Sequence, residues 1–417
     1  MTNLRTSPKL SGMTDQLIPN RRSFPSDDPI FALNAEAQAR KAAGESILNA
    51  TVGALLDDSG QLVVLDSVMD LWRELTAREV APYAPIAGDP AFLKALVRRH
   101  WPLVQTPGAA CATPGGSGAL AISLRNLLEP GQTLLTTAPF WGPYATLATE
   151  NGMRLATVPW PQAGQALDAE AWAAALRNLM KQQGRVLLWL NDPCHNPTGR
   201  SLSPADRAVL AGLLREASGL GPVTLLLDFA YQDYTRDPGA VAAALSDYAA
   251  LGAEGRVLVG ASLSISKSLT LYGARCGALA FPWRADPALQ AALTQSCRGT
   301  WSNCPKAPQS LLLRLEQDGK AQERLAAEHR HWSDMLAARA SALDEALVTE
   351  GMEALHWTGG FFVCLPVTEP TQVGARMQAE GVFIVPLPEG LRVGLCGMRA
   401  AEAPRLAQAL RRALAPG

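Results

Sequence analysis

The sequence predicts an α/β fold in which a mostly parallel sheet lies between layers of helices, with a smaller α+β domain beside it. Five short, continuously apolar segments support the sheet: 134–137, 186–190, 223–228, 257–261 and 276–281. Continuous apolar runs of this length are typical of strands that are covered on both faces. Helical patterns separate the segments, as the crossover connections between parallel strands require.

The connections and the C-terminal part carry helix and strand signals of their own. Ser203 followed by Pro204 is typical of a helix start, because serine caps the first turn and proline suits the first helical position. A long helical pattern, about 306–347, comes after the last apolar segment. Strand-like segments follow at 361–367, 382–387 and 391–397, and a C-terminal helix is predicted at about 400–413.

This order of elements predicts an arm and two domains. Residues 61–315 form the large domain, and residues 28–60 together with 316–417 form the small one. Residues 1–27 are polar and contain proline and serine, so we expect an N-terminal arm that is mobile or bound to a partner.

The composition argues against several classes of function. A net charge of −1 gives no electrostatic reason to expect binding to nucleic acid or to an acidic membrane. Seven scattered cysteines without a CxxC pair favour a reducing cytoplasm over a disulfide framework or a zinc site, and the five histidines lack metal-ligand spacing. The sequence has neither the apolar stretch of a secretory signal nor an apolar run of about 18 residues, the length that a membrane-spanning helix needs. The expectation is a cytoplasmic protein without a metal.

Ligands bind at the carboxyl ends of the strands in open α/β sheets, so the residues after each predicted strand are candidates for a site. One group of them suits a phosphate. Gly115, Gly116 and Ser117 lead into a helix, whose first backbone N–H groups and positive dipole end attract an anion. Ser264 and Arg275 can add further donors, and the arginine offers a bidentate fork.

A second group suits an aromatic ring with polar substituents. Trp141 offers a flat face, Asp228 can hold a proton on a ring nitrogen, and Asn196 and Tyr231 can donate to a ring oxygen. Lys267, in the segment SLSISKSLTLYGAR, can condense with an aldehyde. A phosphate, a basic ring, a ring oxygen and an aldehyde together describe pyridoxal phosphate, for which a lysine and an acidic partner of the ring nitrogen are typical.

The motifs that hold these residues resemble the class I aminotransferases of PLP fold type I, within the aspartate/aromatic amino-acid subgroup. The resemblance covers the chain from about residue 28 to its end and implies a seven-stranded central sheet. The matching motifs are Tyr83-Ala84-Pro85-Ile86-Ala87-Gly88, the Pro-Gly-Gly-Ser-Gly-Ala of 114–119, Trp141, the Asn-Pro-Thr-Gly of 196–199, the Asp-Phe-Ala-Tyr-Gln of 228–232, Ser264 to Lys267 with Leu271 to Gly277, and Arg392 to Met398.

The resemblance implies an activity and its catalytic residues. The protein is expected to move an amino group between an L-amino acid, aspartate or aromatic, and a 2-oxo acid such as 2-oxoglutarate. Lys267 would bind the cofactor and then carry a proton between the substrate Cα and the cofactor. Asp228 would keep the ring nitrogen protonated, with Tyr231 as the third catalytic residue.

The resemblance also implies which residues bind the substrate, and that the active site is shared in a homodimer. Arg392 would grip the α-carboxylate, and Arg298 would pair across the dimer with the distal carboxylate of a dicarboxylic substrate. Tyr83 would reach the cofactor phosphate of the neighbouring subunit. Residues expected to contact substrate are Gly53, Trp141, Asn196, Arg298 and Arg392.

Two positions depart from the pattern of the aspartate-specific relatives, since Tyr144 and Asn191 stand where those proteins carry histidines.

Three other functions stay open at this point. One is a different reaction on the same scaffold, namely that of a β-lyase, a decarboxylase or a cyclopropane-forming synthase. The second is a non-catalytic PLP-binding regulatory protein, although some 28 polar N-terminal residues are too few for a DNA-binding module. The third is a structural α/β protein.

Overall fold

A seven-stranded sheet forms the centre of the protein in the computed structural model, which describes Leu17, Ile18, Arg21 and residues 29–415. The described strands are β1 (Leu48–Asn49), β2 (Ala109–Thr113), β3 (Thr133–Ala138), β4 (Arg154–Pro159), β5 (Val186–Leu190), β6 (Val223–Phe229), β7 (Leu258–Ser264), β8 (Gly277–Phe281), β9 (Phe362–Leu365), β10 (Val382–Phe383), β11 (Val385–Leu387) and β12 (Gly390–Gly394). The order across the central sheet is β2-β8-β7-β6-β5-β3-β4.

Helices cover this sheet and build the rest of the chain. The described α-helices are α1 (Pro29–Ala42), α2 (Asp66–Arg73), α3 (Ala77–Val80), α4 (Pro90–His100), α5 (Gly115–Leu127), α6 (Pro143–Glu150), α7 (Ala169–Gln183), α8 (Pro204–Ser218), α9 (Pro238–Ala253), α10 (Ile265–Ser268), α11 (Pro287–Thr300), α12 (Lys306–Gln317), α13 (Gly319–Thr349), α14 (Pro370–Ala379) and α15 (Ala403–Leu414). Short 3₁₀ turns lie at Tyr272–Ala274 and Ala400–Glu402. The predicted α/β fold with a mostly parallel central sheet is confirmed.

The core lies on both faces of the central strands. Every residue of β5 and of β6 is buried, which explains why these segments read as continuous apolar runs. Trp189 of β5 is packed between helices and is fully buried. Ser203 caps α8 as predicted, because its hydroxyl accepts a hydrogen bond from the Asp206 backbone N–H.

The structure differs from the sequence-based expectation at two places in the sheet. β8 runs antiparallel to both of its neighbours, β2 and β7, whereas its apolar sequence had suggested another parallel strand. β2 and β4 were not predicted at all. β2 consists of the small residues Ala-Ala-Cys-Ala-Thr, and β4 is an edge strand with exposed positions, so neither presents a strong β-branched or aromatic pattern.

The predicted single helical stretch at 306–347 is two helices, α12 and α13. They meet at Asp318, whose carboxylate accepts a hydrogen bond from the Ala321 backbone N–H and so caps α13. An aspartate that satisfies the first free N–H groups of a new helix favours a break at that residue. The 382–387 segment likewise forms two strands, β10 and β11, with Ile384 between them.

One of two small sheets joins the beginning of the described chain to its end. β1 pairs in parallel with β10, and β11-β12-β9 form an antiparallel sheet in which Arg392 lies opposite Cys364. These pairings bring residues near 48–49 against the 362–394 region. The proposed domain boundaries stay a prediction, and the predicted arm, 1–27, lies outside the described residues except for Leu17, Ile18 and Arg21.

The described residues can be compared with what a membrane span or a metal site would require. None of the described helices is both long enough and apolar enough to cross a membrane. Within the same part of the chain, three or more His, Cys, Asp or Glu residues are nowhere grouped so that they could hold a metal ion. The seven cysteines are free, and all but Cys364 are buried.

Candidate active site

Lys267 lies just beyond the carboxyl end of β7, in the four-residue helix α10. Ser264 caps this helix by accepting a hydrogen bond from the Ser266 backbone N–H. The Lys267 Nζ atom lies 5.6 Å from the centroid of the Tyr231 ring. Burial lowers the pKa of the Lys267 amine, and the Asp228 carboxylate offsets part of this effect. A lowered pKa increases the fraction of neutral amine, which is the nucleophilic form.

Asp228 lies at the end of β6, the strand next to β7, and only 8% of the residue is exposed. Its Oδ2 atom accepts a hydrogen bond of 2.7 Å from the Tyr144 hydroxyl. Burial raises the pKa of the Asp228 carboxyl, while the Tyr144 hydrogen bond and the Lys267 charge oppose that rise. A cation placed against Asp228 would favour the ionised carboxylate further.

Asn196 and Tyr231 form a pair on the same edge of the sheet. The Asn196 Nδ2 atom donates to the Tyr231 hydroxyl over 3.2 Å, and burial raises the pKa of that hydroxyl. Asn191, at the end of β5, positions this pair: its Oδ1 atom accepts from the Asn196 backbone N–H, and its Nδ2 atom donates to the Asp228 carbonyl. Asn191 therefore links the Asn196 loop to the end of β6.

The predicted phosphate donors also lie together. α5 begins at Gly115, and a side chain there would place its Cβ only 2.7 Å from the Arg275 Nη2 atom. A Cβ at Gly116 would lie 3.1 Å from the Ser262 hydroxyl oxygen and 3.8 Å from the Asp228 Oδ1 atom. Arg275 adopts a left-handed backbone conformation, with a φ of 47°, and donates to the Ser266 hydroxyl. The start of α5, the Arg275 guanidinium and the Asp228 carboxylate thus lie close to one another.

Trp141 packs edge-on against the Tyr144 ring, with 5.7 Å between the ring centroids. Since Tyr144 bonds directly to Asp228, the indole lies beside the same cluster. Ser117 lies in the first turn of α5 and is partly exposed.

Arg392 lies on β12, across Phe362 from Tyr231. Its guanidinium carbon lies 4.5 Å above the Phe362 ring, and its Nη2 atom donates to the Thr51 carbonyl over 3.1 Å. The Phe362 and Tyr231 rings meet edge-to-face at 5.8 Å. Gly53 borders this group, because a Cβ there would lie 3.4 Å from the Phe362 ring. The sequence indicated Phe362 only as part of a strand, and its position in a hydrophobic strand gave no signal of contact with an arginine.

Two predicted site residues lie outside this cluster within the single chain. Tyr83 is 89% exposed, and Arg298 is exposed near the end of α11, where its Nη1 atom donates to the Ser302 hydroxyl. Both were expected to act across a dimer, and that expectation stays a prediction.

This arrangement can be set against known proteins. Residues 45–410 match the family model described as aminotransferase class I and II. The chain belongs to that family. This aminotransferase is 29% identical to the aromatic-amino-acid aminotransferase of Pseudomonas aeruginosa over 378 residues, which cover 87% of this chain and 91% of that protein.

A second curated relative and a solved structure agree with the family assignment. The aspartate aminotransferase of Salmonella typhi is 31% identical over 290 residues, which cover 67% of this aminotransferase and 70% of that protein. The crystal structure of an aminotransferase from Anaerococcus prevotii is similar with a TM-score of 0.88 at 27% identity, covering 97% of this chain and all of that one. The resemblance predicted from the motifs, and with it transaminase activity, is confirmed.

Proposed function

We propose that this aminotransferase uses pyridoxal 5′-phosphate to move the amino group between an L-amino acid, aspartate or aromatic, and a 2-oxo acid such as 2-oxoglutarate. The observation that carries the proposal is the position of the Lys267 amine, which faces the Tyr231 ring beside Asp228. We also propose that the reaction takes place in the cytoplasm, in keeping with seven free cysteines.

The described residues fit this cofactor at its ring. The Asn196 Oδ1 atom is buried and has no hydrogen-bond partner among the described residues. A turn of the amide by 180° exchanges its oxygen and its NH₂ group, so the Asn196 oxygen can accept from the Tyr231 hydroxyl while the NH₂ group points outward. In both arrangements the pair keeps at least one unused donor, whose hydrogen bond a ring oxygen would accept. Buried polar groups are normally satisfied, so an unmatched one favours a ligand at this position.

The described residues also fit the phosphate group of the cofactor. Gly115 and Gly116 let the Arg275 guanidinium and the Ser262 hydroxyl approach the α5 N-terminus closely, because a Cβ at these positions would lie 2.7 Å from the Arg275 Nη2 atom and 3.1 Å from the Ser262 hydroxyl oxygen. The backbone N–H groups of that helix start, the Ser117 and Ser264 hydroxyls and the Arg275 guanidinium would together hold a dianionic group. Among the described residues, the Arg275 guanidinium donates to neutral acceptors, namely the Ser266 hydroxyl and the Tyr272 and Pro114 carbonyls, so its charge is available to an anion.

When bound, pyridoxal phosphate supplies an aldehyde carbon that captures an amine and a ring that accepts the electrons released at Cα. Lys267 would hold the cofactor through that carbon, and its Nζ atom would be the group that takes up and returns the proton of the substrate Cα. Asp228 would keep the ring nitrogen protonated, and the Tyr144 hydroxyl donates to the Asp228 carboxylate and so orients it. Arg392 binds the α-carboxylate and so fixes which bond of Cα faces Lys267.

A panel of amino donors offered with 2-oxoglutarate tests the proposed substrates. We expect aspartate, phenylalanine or tyrosine to yield its 2-oxo acid and glutamate in equal amounts. Release of ammonia would instead indicate β-lyase chemistry, and release of carbon dioxide a decarboxylase. Bound cofactor without any product from the panel would support a non-catalytic PLP-binding protein.

Arg298 tests the proposed side-chain specificity. Removing one partner of a buried charge pair costs about 2–5 kcal/mol, or roughly 30- to several-thousand-fold. We therefore expect Arg298→Ala to lower kcat/KM for dicarboxylic substrates by a factor in that range and to spare alanine and phenylalanine. Arg177→Ala removes another exposed helix arginine and serves as the control. An equal loss for both substrate classes would remove Arg298 from the dicarboxylate site.

Tyr83 tests the proposed dimer. If its hydroxyl reaches the partner's phosphate, Tyr83→Ala should weaken cofactor binding about tenfold or more, the effect of one hydrogen bond to a charged group. Mixed dimers of Tyr83→Ala and Lys267→Ala chains contain one site in which both residues are intact. At a cofactor concentration too low to saturate Tyr83→Ala, we expect the mixture to be more active than the two parents together. Activity no greater than the sum of the parents, or an active monomer by light scattering, would contradict a shared site.

A further inference from the structure

The guanidinium of Arg339 is buried in the middle of α13, and only 1% of the residue is exposed. Its Nη1 atom donates to the Leu395 and Cys396 carbonyls, over 3.1 and 3.2 Å. Its Nη2 atom donates to the Leu56 carbonyl over 2.9 Å and to the Asp58 Oδ1 atom over 2.8 Å. A backbone bond from the Leu56 N–H to the Cys396 carbonyl, 2.8 Å long, joins the same two stretches directly.

These stretches are the two that surround Arg392. The first stretch, 394–397, begins at the last residue of β12, and we call it the exit segment because the chain leaves β12 there. The second stretch, 50–58, passes beside β12, and we call it the entry segment. Arg392 donates to the Thr51 carbonyl, and the Gly394 N–H donates to the Ala50 carbonyl over 2.7 Å. The backbones approach so closely that a Cβ on Gly394 would lie 2.7 Å from the Val52 carbonyl oxygen. The position of Arg392 therefore depends on how firmly the two segments are held together.

An arginine suits this position better than any other side chain. Its planar fork presents donors in two directions, so one group can bind both segments, whereas a lysine amine is a single point of charge on a flexible stem. An apolar residue would leave the Leu395 and Leu56 carbonyls without the donor they have here, which is costly in a protein interior, while the Cys396 carbonyl would keep only the Leu56 N–H. The Asp58 side chain is 69% exposed, so the carboxylate that completes this arrangement can be changed without disturbing the core.

We propose that Arg339 is a positioning residue for substrate binding: by clamping the entry segment to the exit segment, it holds Arg392 where the α-carboxylate of the substrate is bound. This rests on the proposed role of Arg392. When a binding group is correctly placed for only part of the time, the apparent dissociation constant rises in inverse proportion to that fraction. Substrate that does bind restores the arrangement, so a loosened clamp raises KM and leaves kcat largely unchanged.

The test compares Arg339→Lys and Asp58→Ala with Glu380→Gln. The last of these breaks an Arg412–Glu380 ion pair that touches neither segment. We expect KM for both amino-acid and 2-oxo-acid substrates to rise about tenfold in Arg339→Lys and roughly threefold in Asp58→Ala, with kcat within about twofold of its original value. Glu380→Gln should change neither constant. Amide hydrogen exchange should become faster in 50–58 and in 394–397, but not in α15.

The outcomes separate this proposal from the proposed function. If Arg392→Lys raises KM but Arg339→Lys and Asp58→Ala leave it within twofold, Arg392 keeps its role and the positioning role of Arg339 is wrong. A fall in kcat at unchanged KM, or a lower melting temperature alone, would equally overturn it. If Arg392→Lys itself leaves KM unchanged, the role of Arg392 in the proposed function is wrong, whatever the Arg339 variants show. Should Arg339→Lys not fold, Asp58→Ala, which alters an exposed side chain, decides the question through KM and hydrogen exchange.

Discussion

Lys267→Ala is expected to lower the turnover of amino transfer by roughly 10⁴-fold or more, because the substitution removes both the cofactor linkage and the proton carrier. The expectation follows from the position of Nζ, which faces the Tyr231 ring and whose pKa is lowered by burial. The measurement is single-turnover conversion of an amino acid to its 2-oxo acid, with the cofactor in excess. Excess cofactor ensures that weaker binding cannot account for the loss.

Two further variants sharpen this prediction. Lys267→Arg keeps a positive charge but has no neutral amine at working pH, so it should be as inactive as Lys267→Ala. Lys181→Ala, which removes an exposed lysine of α7, should retain full turnover. Turnover near the original value in Lys267→Ala, or in Lys267→Arg, would show that another group carries the proton.

Asp228→Asn is expected to lower kcat by roughly 10²- to 10³-fold, the usual cost of removing a preorganised electrostatic partner from a reacting group. The amide keeps the shape of the side chain and can still bond with Tyr144, but it cannot keep the ring nitrogen protonated. Cofactor affinity should fall far less, because the phosphate donors at Gly115, Gly116 and Arg275 are untouched. Equilibrium titration with the cofactor measures that affinity separately from kcat.

The pH dependence of the variant provides a second readout. Without the carboxylate, the ring nitrogen loses its proton at a lower pH, so part of the lost activity should return as the pH falls. Asp228→Glu, which keeps the charge, should be impaired less than Asp228→Asn. If Asp228→Asn retains full turnover across the pH range, Asp228 serves only to end β6 and to bond with Tyr144.

The sheet could be predicted wherever burial alone shapes the sequence. β5 begins and ends at the predicted residues, because a strand covered on both faces must be apolar throughout. β2 and β4 could not be predicted, since a run of alanines or an exposed edge strand has no such pattern. The break between α12 and α13 could have been predicted from the sequence, because an aspartate such as Asp318 is a typical residue to cap the start of a helix.

Motifs of neighbouring residues predicted most of the candidate site, and the structure places them at one edge of the sheet. Asn196 follows β5, Asp228 lies near the end of β6 and Lys267 follows β7. The carboxyl ends of these neighbouring parallel strands meet at one edge of the sheet. Contacts between segments that are distant along the chain could not be predicted in this way, because no local sequence motif indicates them. Arg339 is one of several arginines in a long helix, and only the packing of 50–58 against 394–397 shows that its guanidinium is buried.

Borohydride reduction can show whether Lys267 carries the cofactor of this aminotransferase, because it fixes an imine to the lysine that forms it. The purified protein is incubated with pyridoxal phosphate, reduced with sodium borohydride and digested, and the peptides are examined by mass spectrometry. We expect a phosphopyridoxyl group on the Lys267 Nζ atom, and we expect it to disappear after preincubation with an amino donor. An unmodified Lys267 peptide, or a label that is confined to another lysine such as Lys306, would contradict it.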